Sequence, residues 1–184
     1  MQAKSKDSSR QVICLVKILS LGMIATAFFL GGRAIALRSE NKAKVVSDII
    51  VLINTIETRL QYSAEPIAQI LKSAVGSGAV SGLDFVSECI RKCENGKNFH
   101  EAWCESVESG TKLRSLLGKS TANLLAFGSC LGVTDTQGQI SNCRYYKEIF
   151  TAELSLRREE SRRSAKVFPP LGMLAGIFAV IFLI

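Results

Sequence analysis

The sequence predicts an all-α protein, with two transmembrane helices flanking a cytoplasmic six-helix bundle that contains two long antiparallel helices. Three observations support this class. Apolar residues are concentrated at both ends of the 184-residue chain, those in between recur at three- and four-residue steps, and no segment alternates like a strand. We therefore expect a disordered basic tail (residues 1–11), a first span (12–32), a helical domain (33–167) and a second span (168–184).

The second span is the clearer of the two. No charged side chain follows Lys166, which leaves a run near the lower length limit for a helix that crosses a bilayer. Backbone amides in lipid must bond internally, so we expect this run to be helical. Cations precede it and none follows, which by the positive-inside rule places the helical domain in the cytoplasm. We assign these cations to the membrane surface: Arg157, Arg158, Arg162, Arg163 and Lys166.

The first span, residues 12–32, is interrupted only by Lys17. A basic tail before an apolar run is also typical of a signal peptide, whose removal would leave a secreted domain that begins near residue 37. We favour an uncleaved helix because the run is long and no cleavage signature followed by mature-type sequence is evident. With the helical domain in the cytoplasm, both chain ends would then face outward.

A long helix is expected to continue from the first span and to end before Pro66. Its core-facing side chains recur at helical spacing. They are Val46, Ile49, Ile50, Ile53, Ile56 and Leu60. Pro66 has no backbone donor to lose and therefore suits the first turn of the following helix.

Short helices are expected in the middle of the chain, separated by recognisable turn signals. Residues 76–82 are rich in glycine and predict a flexible turn. Asn95 and Gly96 predict a left-handed helix end, and Asn98 predicts the N-cap of the next helix. The predicted short helices cover residues 66–75, 83–94, 98–108, 112–117 and 119–131.

The last helix of the domain is expected to begin at a capping box and to run toward the second span. Thr134 and Gln137 have the spacing at which a hydroxyl and an amide satisfy each other's free backbone N–H groups. The stretch from there to Phe168 contains no proline and would extend about 50 Å as a helix. Pro169 and Pro170 should then kink or break it at the membrane surface. A helix of this length usually packs on a partner, here the first long helix.

Patterns of catalysis and metal binding are sparse. His100 is the only histidine, and no phosphate-binding loop with a following lysine occurs. The net charge of +7 is not interleaved with aromatic residues as in nucleic-acid binders. We expect no enzymatic activity, cofactor, bound metal or nucleic-acid partner. The alternative is a metal or redox sensor, because four residues have zinc-type ligand chemistry. They are Cys89, Cys93, His100 and Cys104, whose spacings equally suit buried thiols on two packed helices.

Three stretches of the chain resemble the stage III sporulation protein AB family. The first has two pairs of the Leu-Gly type, then Thr-Asp and a Gln four residues on: Phe127, Gly128, Leu131, Gly132, Thr134, Asp135 and Gln139, with Phe127 in place of the first leucine. The second, residues 168–176, is similar to the family's aromatic-x-x-Leu-Gly-x-Leu-x-Gly start of the last helix. The third is residues 56–67. The basic tail and the proline pair depart from the family pattern.

The resemblance implies a protein of a spore-forming bacterium, located in the mother-cell membrane around the forespore with its helical domain in the mother-cell cytoplasm. It implies a complex that links the two cells, and a domain similar to the cytoplasmic domains of type II secretion and type IV pilus platform proteins. The implied partners are the complex's secretion-type ATPase and other membrane subunits of the sporulation channel; we also expect contact with membrane lipid, and a homo-oligomer is possible within this scheme. We place partner contact at the end of the domain farthest from the membrane, at Tyr62, Pro66, Gly128, Gly132 and Asp135.

Overall fold

The computed structural model describes residues 3–63 and 65–183 of the chain. Its helices are α1 (Ala3–Tyr62), α2 (Ile67–Gly76), α3 (Asp84–Glu94), α4 (Phe99–Ser109), α5 (Thr111–Leu117), α6 (Thr121–Cys130) and α7 (Thr136–Leu183), with a 3-10 turn at Gly118–Ser120. No strand occurs within these described ranges, which confirms the all-α class. The chain divides into unit 1, which contains Met1–Glu40 and Glu159–Ile184, and unit 2, which contains Asn41–Arg158.

Unit 2 is organised around one apolar core to which each of its helices contributes. The stripe predicted on α1 forms one side of this core, since Val46, Ile49, Ile53 and Ile56 are fully buried and Ile50 is partly buried. Burying a side chain of this size contributes roughly 1.5–3 kcal/mol. The core is therefore the main source of stability of unit 2.

The short helices begin and end within two residues of their predicted positions. Gly96 has a φ of +86°, and the Lys97 N–H donates to the Lys92 carbonyl oxygen at 3.1 Å, which closes α3 with the predicted left-handed end. Asn98 Oδ1 accepts a hydrogen bond from the His100 N–H at 2.9 Å and so caps α4 as predicted. The turn signals of this part of the sequence are thus confirmed.

The two chain ends are more helical than expected. The tail, residues 1–11, was expected to be disordered, but α1 already begins at Ala3. No glycine or proline precedes Gly22, so nothing in this stretch opposes a helix continuous with the residues that follow. At the other end, α7 continues through Pro169 and Pro170, so the helix is not broken at this pair.

Unit 1 exposes the large apolar side chains that the structure describes in it. Their exposed fractions range from 49% to 74%, and they are Met23, Leu30, Leu37, Val167, Leu171 and Leu174. Most other side chains of the two expected spans, residues 12–32 and 168–184, lie outside the described part of the structure. Counting only described residues, no helix offers a stretch of the length and apolarity that a membrane crossing requires.

Candidate functional site

A buried carboxylate joins α1 to α7. Glu57 is 8% exposed and accepts a hydrogen bond from Arg144 Nε at 3.0 Å and another from Lys147 Nζ. Burial alone would raise the pKa of Glu57, but the two hydrogen bonds and the two positive charges outweigh burial and hold the pKa below its usual value. Glu57 is therefore ionised at neutral pH and clamps the last part of α1 to the first part of α7.

A second polar cluster fixes α5 against the far part of α7. Arg157 donates to the carbonyl oxygens of Leu116 at 2.6 Å and Leu117 at 2.7 Å, and its Nε donates to Glu153 Oε1 at 2.7 Å. Ser120 donates to the same carboxylate. A cation at a helix C-terminus satisfies free carbonyl groups and complements the helix dipole. Arg157 therefore holds the end of α5 in place.

An open cleft of about 330 Å³ lies between α5 and the segment of α1 that begins at Asn41. Its polar lining is Asn41, Lys44, Asp48, Asp84, Lys112 and Ser115. Asp48 lies so close to Gly82 that a Cβ there would be 2.4 Å from Asp48 Oδ2. Partial burial raises the pKa of Asp48, and the charge of Lys44 partly opposes this rise. α5 thus neighbours both α1 and α7.

These contacts give unit 2 two distinct ends. At Glu57, the last turns of α1 contact the first turns of α7. The part of α1 near Asn41 and the part of α7 near Arg157 both lie next to α5. α1 and α7 are therefore antiparallel within the unit. We call residues 62–63, 65–66 and 131–135 the turn end. We call the opposite end, where α1 enters and α7 leaves the unit next to Asn41 and Arg158, the exit end. The two ends lie roughly 32 Å apart along either helix.

Gly128 lies in the core of unit 2 and has no surface for the partner contact predicted for it. Trp103 is fully buried, and its Nε1 donates to the Leu124 carbonyl oxygen at 3.0 Å. A Cβ on Gly128 would lie 2.1 Å from this nitrogen, so only glycine leaves room for the indole ring. Phe127 packs edge-on against the same ring. The Phe-Gly pair of the family-like motif is therefore explained by packing.

The other residues of the predicted partner surface lie on exposed turns. Tyr62 is 80% exposed, Val133 of the turn end is 75% exposed, and Pro66 is exposed as well. Gly132 has a φ of +78°, a conformation that favours glycine, and its N–H donates to Gln139 Oε1 at 3.2 Å. The turn end therefore presents apolar and backbone groups to solvent on a fixed framework.

α7 begins with a cap that differs from the predicted box of Thr134 and Gln137. Asp135 is the N-cap, and its Oδ1 accepts a hydrogen bond from the Gly138 N–H at 3.0 Å. Gln139 folds back in place of Gln137 and donates to the Thr134 carbonyl oxygen at 2.9 Å. The predicted box was wrong because α7 begins at residue 136, one residue later than a cap at position 134 requires.

The cations assigned to the membrane surface do not all share one environment. Arg157 has a 13% exposed side chain and is engaged with α5, so it is not a solvated cation. Arg163 forms an ion pair with Glu159 at 2.6 Å on the surface of unit 1. The exposed members of the set are Arg158, Arg162, Arg163 and Lys166. For these the membrane-surface assignment stays a prediction.

The cysteines and histidine of the alternative function are brought together only in part. Cys104 Sγ lies 3.9 Å from His100 Nε2 on the same turn of α4. Burial, followed by the neighbouring Cys93 thiol, raises the pKa of Cys89 to about 12. A thiol whose pKa is raised by burial is less nucleophilic, because the thiolate is the reactive form. Within the described residues, no three side chains of His, Cys, Asp or Glu are grouped as metal ligands.

The sequence interpretation missed Glu57 and the internal role of Arg157. A signal for Glu57 was present, since it follows Ile56 and lies one helical turn from Ile53 and Leu60 on the buried stripe. A carboxylate in that position requires a cationic partner. No comparable signal existed for Arg157, because the next residue is also arginine and both belong to one basic run.

The fold and the two ends of unit 2 define a class of protein: a helical bundle whose first and last helices are long, antiparallel within the folded unit and clamped by a buried ion pair. A family model described as stage III sporulation protein AB matches residues 17–184. The chain belongs to the stage III sporulation protein AB family and is a stage III sporulation protein. Comparisons with curated proteins and with solved structures find no match.

Proposed function

We propose that the protein is a membrane-anchored platform in the complex that links the mother cell to the forespore. Unit 2 lies in the mother-cell cytoplasm, docks the complex's cytoplasmic ATPase at its turn end and couples the ATPase to the other membrane subunits. The protein contributes no catalysis of its own. The observation that carries the proposal is the antiparallel pair of α1 and α7, clamped by Glu57.

Anchoring is supported by the difference in burial between the units. A large apolar side chain left in water forgoes the free energy that burial provides, roughly 1.5–3 kcal/mol each. Unit 1 exposes the large apolar side chains described in it, among them Leu30 and Leu174, while unit 2 gathers most of its own in a buried core. A hydrocarbon environment around residues 12–32 and 168–184 removes this penalty, and the cations before the second span favour the cytoplasmic side for unit 2.

Coupling between the two ends of unit 2 is supported by its polar clamps. Separating the buried Glu57 carboxylate from Arg144 and Lys147 leaves it without hydrogen-bond partners, which makes relative sliding of α1 and α7 at Glu57 unfavourable. At the exit end, Arg157 holds α5 to α7. A push on the turn end is therefore passed along both long helices instead of being absorbed in a local rearrangement.

Docking at the turn end is supported by its exposed tyrosine. Tyrosine is enriched among residues that dominate binding energy at protein interfaces. Tyr62 is 80% exposed at the end of α1, next to a turn that Pro66 stiffens. Partner contact there acts directly on the helix that Glu57 joins to α7.

The test measures binding of the purified full-length chain, in nanodiscs, to the ATPase of the same complex in its nucleotide-free, ADP and ATP states. Tyr62→Ala should weaken binding at least tenfold, or about 1.4 kcal/mol. The matched control is Tyr145→Ala, because Tyr145 is 60% exposed on α7 outside the turn end. Equal weakening by both variants, or no binding of the wild-type chain in any nucleotide state, would overturn the docking proposal.

A further inference from the structure

The cations of unit 2 fall into two groups according to whether they are paired with a carboxylate. One group has a carboxylate oxygen within 4 Å and consists of Arg59, Lys72, Arg91, Lys92, Lys97, Arg144, Lys147 and Arg157. The other group has no such partner among the described residues. We call it the exit-end cations: Lys42, Lys44, Lys112, Arg114, Lys119 and Arg158.

The unpaired cations lie on the same end of unit 2. Lys44 and Lys112 line the cleft between α1 and α5. Arg114 and Lys119 line an adjoining open groove at the junction of α5 and α6. Arg158 follows Arg157, which binds the end of α5. Lys42 is near the same end of α1, but it lies two residues before Lys44 and therefore on the opposite side of the helix. A cluster of unpaired like charges is unfavourable unless an anionic partner offsets it.

The acidic residues near this cluster do not neutralise it. Asp48 and Asp84 line the cleft, and Glu108 lines the groove, so carboxylates are fewer here than cations. The Arg114 guanidinium bonds to the Glu108 backbone carbonyl oxygen at 3.3 Å and not to its carboxylate. Leu113 and Leu116 lie half-buried between the basic residues of α5. The exit end is therefore a basic surface with apolar side chains at its centre.

We propose that the exit end of unit 2 binds anionic phospholipid headgroups through the exit-end cations. This rests on the proposed anchoring, because the segments that leave unit 2 at this end carry the exposed apolar side chains of unit 1. Basic groups beside a bilayer attract anionic lipids. α5, held between α1 and α7, then gives the folded unit a lipid contact in addition to the basic residues that follow it in unit 1.

The test uses the full-length chain in nanodiscs of phosphatidylcholine alone and in nanodiscs that also contain phosphatidylglycerol. The rate of lysine acetylation is measured at each site by mass spectrometry. Lys44, Lys112 and Lys119 should be labelled about fivefold more slowly in the anionic nanodiscs, the factor that corresponds to about 1 kcal/mol per cation. Lys72 and Lys97 should be labelled at the same rate in both, and high salt should restore the exit-end rates.

Two sets of substitutions distinguish lipid binding by the exit-end cations from a general effect of removing positive charge. Replacing Lys112→Gln, Arg114→Gln and Lys119→Gln should abolish the lipid-dependent protection of Lys44. The matched control, Lys72→Gln with Lys97→Gln, should leave that protection unchanged, because these lysines are bound to carboxylates elsewhere on unit 2.

Two outcomes overturn the inference and remain distinguishable. If the chain inserts into both kinds of nanodisc but the exit-end lysines are labelled equally fast, lipid binding by unit 2 is wrong while anchoring stands. If the chain does not insert and is removed by alkaline carbonate, the proposed anchoring is wrong and the lipid contact is wrong with it.

Discussion

The two units of this protein differ in how far their large apolar side chains are gathered into a core. In unit 2, Trp103, Phe127 and Phe150 are fully buried in a core that every helix of the unit helps to enclose. In unit 1, Leu30 and Leu174 are more than half exposed. The same hydrophobic effect acts on both units, and the proposed anchoring of unit 1 in a membrane would account for the difference. Unit 2 encloses a core of its own, whereas the large apolar side chains described in unit 1 are between 49% and 74% exposed.

The largest effect is expected from Gly128→Ala, which challenges the core of unit 2. The added Cβ would lie 2.1 Å from the Trp103 ring, so either the buried indole or the helix backbone must shift. The free energy of unfolding should fall by about 3 kcal/mol, as overpacked cores do. Urea titration monitored by the fluorescence of the single tryptophan measures this directly.

Gly76→Ala is the matched control for this substitution. No heavy atom lies within 4 Å of the position that its Cβ would occupy, so the stability of unit 2 should change little. Equal destabilisation by both alanines would show that the Trp103 contact does not limit the packing of unit 2.

A slightly smaller effect is expected from Leu174→Arg, which tests whether unit 1 lies in a membrane. An arginine near the middle of a bilayer-spanning helix disfavours insertion by about 2.5 kcal/mol. The variant should therefore be extracted by alkaline carbonate to a larger extent than the wild-type chain. Leu156→Arg, at a 69% exposed site in unit 2, should leave extraction unchanged. If both variants are retained equally, unit 1 does not depend on lipid as the comparison requires.

The smallest of these effects is expected from Glu57→Gln, which loosens the clamp inside unit 2. Loss of the charged hydrogen bonds to Arg144 and Lys147 should lower the free energy of unfolding by about 2 kcal/mol at neutral pH. Glu101→Gln, at an exposed carboxylate on α4, should change it by less than about 0.5 kcal/mol.

The pH dependence of the unfolding free energy provides a second test of the Glu57 ion pair. Folding lowers the pKa of Glu57 below its usual 4.5, so its contribution to stability is present above pH 4.5 and is lost as the pH falls toward the folded-state pKa. The difference in unfolding free energy between wild type and Glu57→Gln should therefore shrink below pH 4.5. A difference that stays constant down to pH 3 would contradict the assigned ion pair.

The helices of unit 2 were predictable because their signals are local. The stripe from Val46 to Leu60 follows helical spacing, and Gly96 and Asn98 carry the backbone and capping preferences of helix ends. Such signals depend only on residues within one or two turns. The sequence therefore placed these helix boundaries within two residues.

The features that sequence could not supply depend on residues far apart in the chain. Gly128 looked like a surface turn residue because nothing nearby reveals that Trp103 occupies the space beside it. The position of Glu57 on the buried stripe indicated that it requires a cationic partner, but not that Arg144 and Lys147 supply it. The family resemblance was confirmed, yet it identifies Gly128 and Asp135 as a motif without separating packing from capping.

The bond from Arg157 to the end of α5 makes that helix sensitive to the angular position of α7. With seven residues, α5 is too short to persist without support. Successive residues of a helix differ by about 100° around its axis, so a twist of α7 by a single position swings the guanidinium away from the Leu116 and Leu117 carbonyl oxygens. Rotation of the last helix would thus remove the support that Arg157 gives to α5, together with the contacts that Phe150 and Leu154 of α7 make in the core.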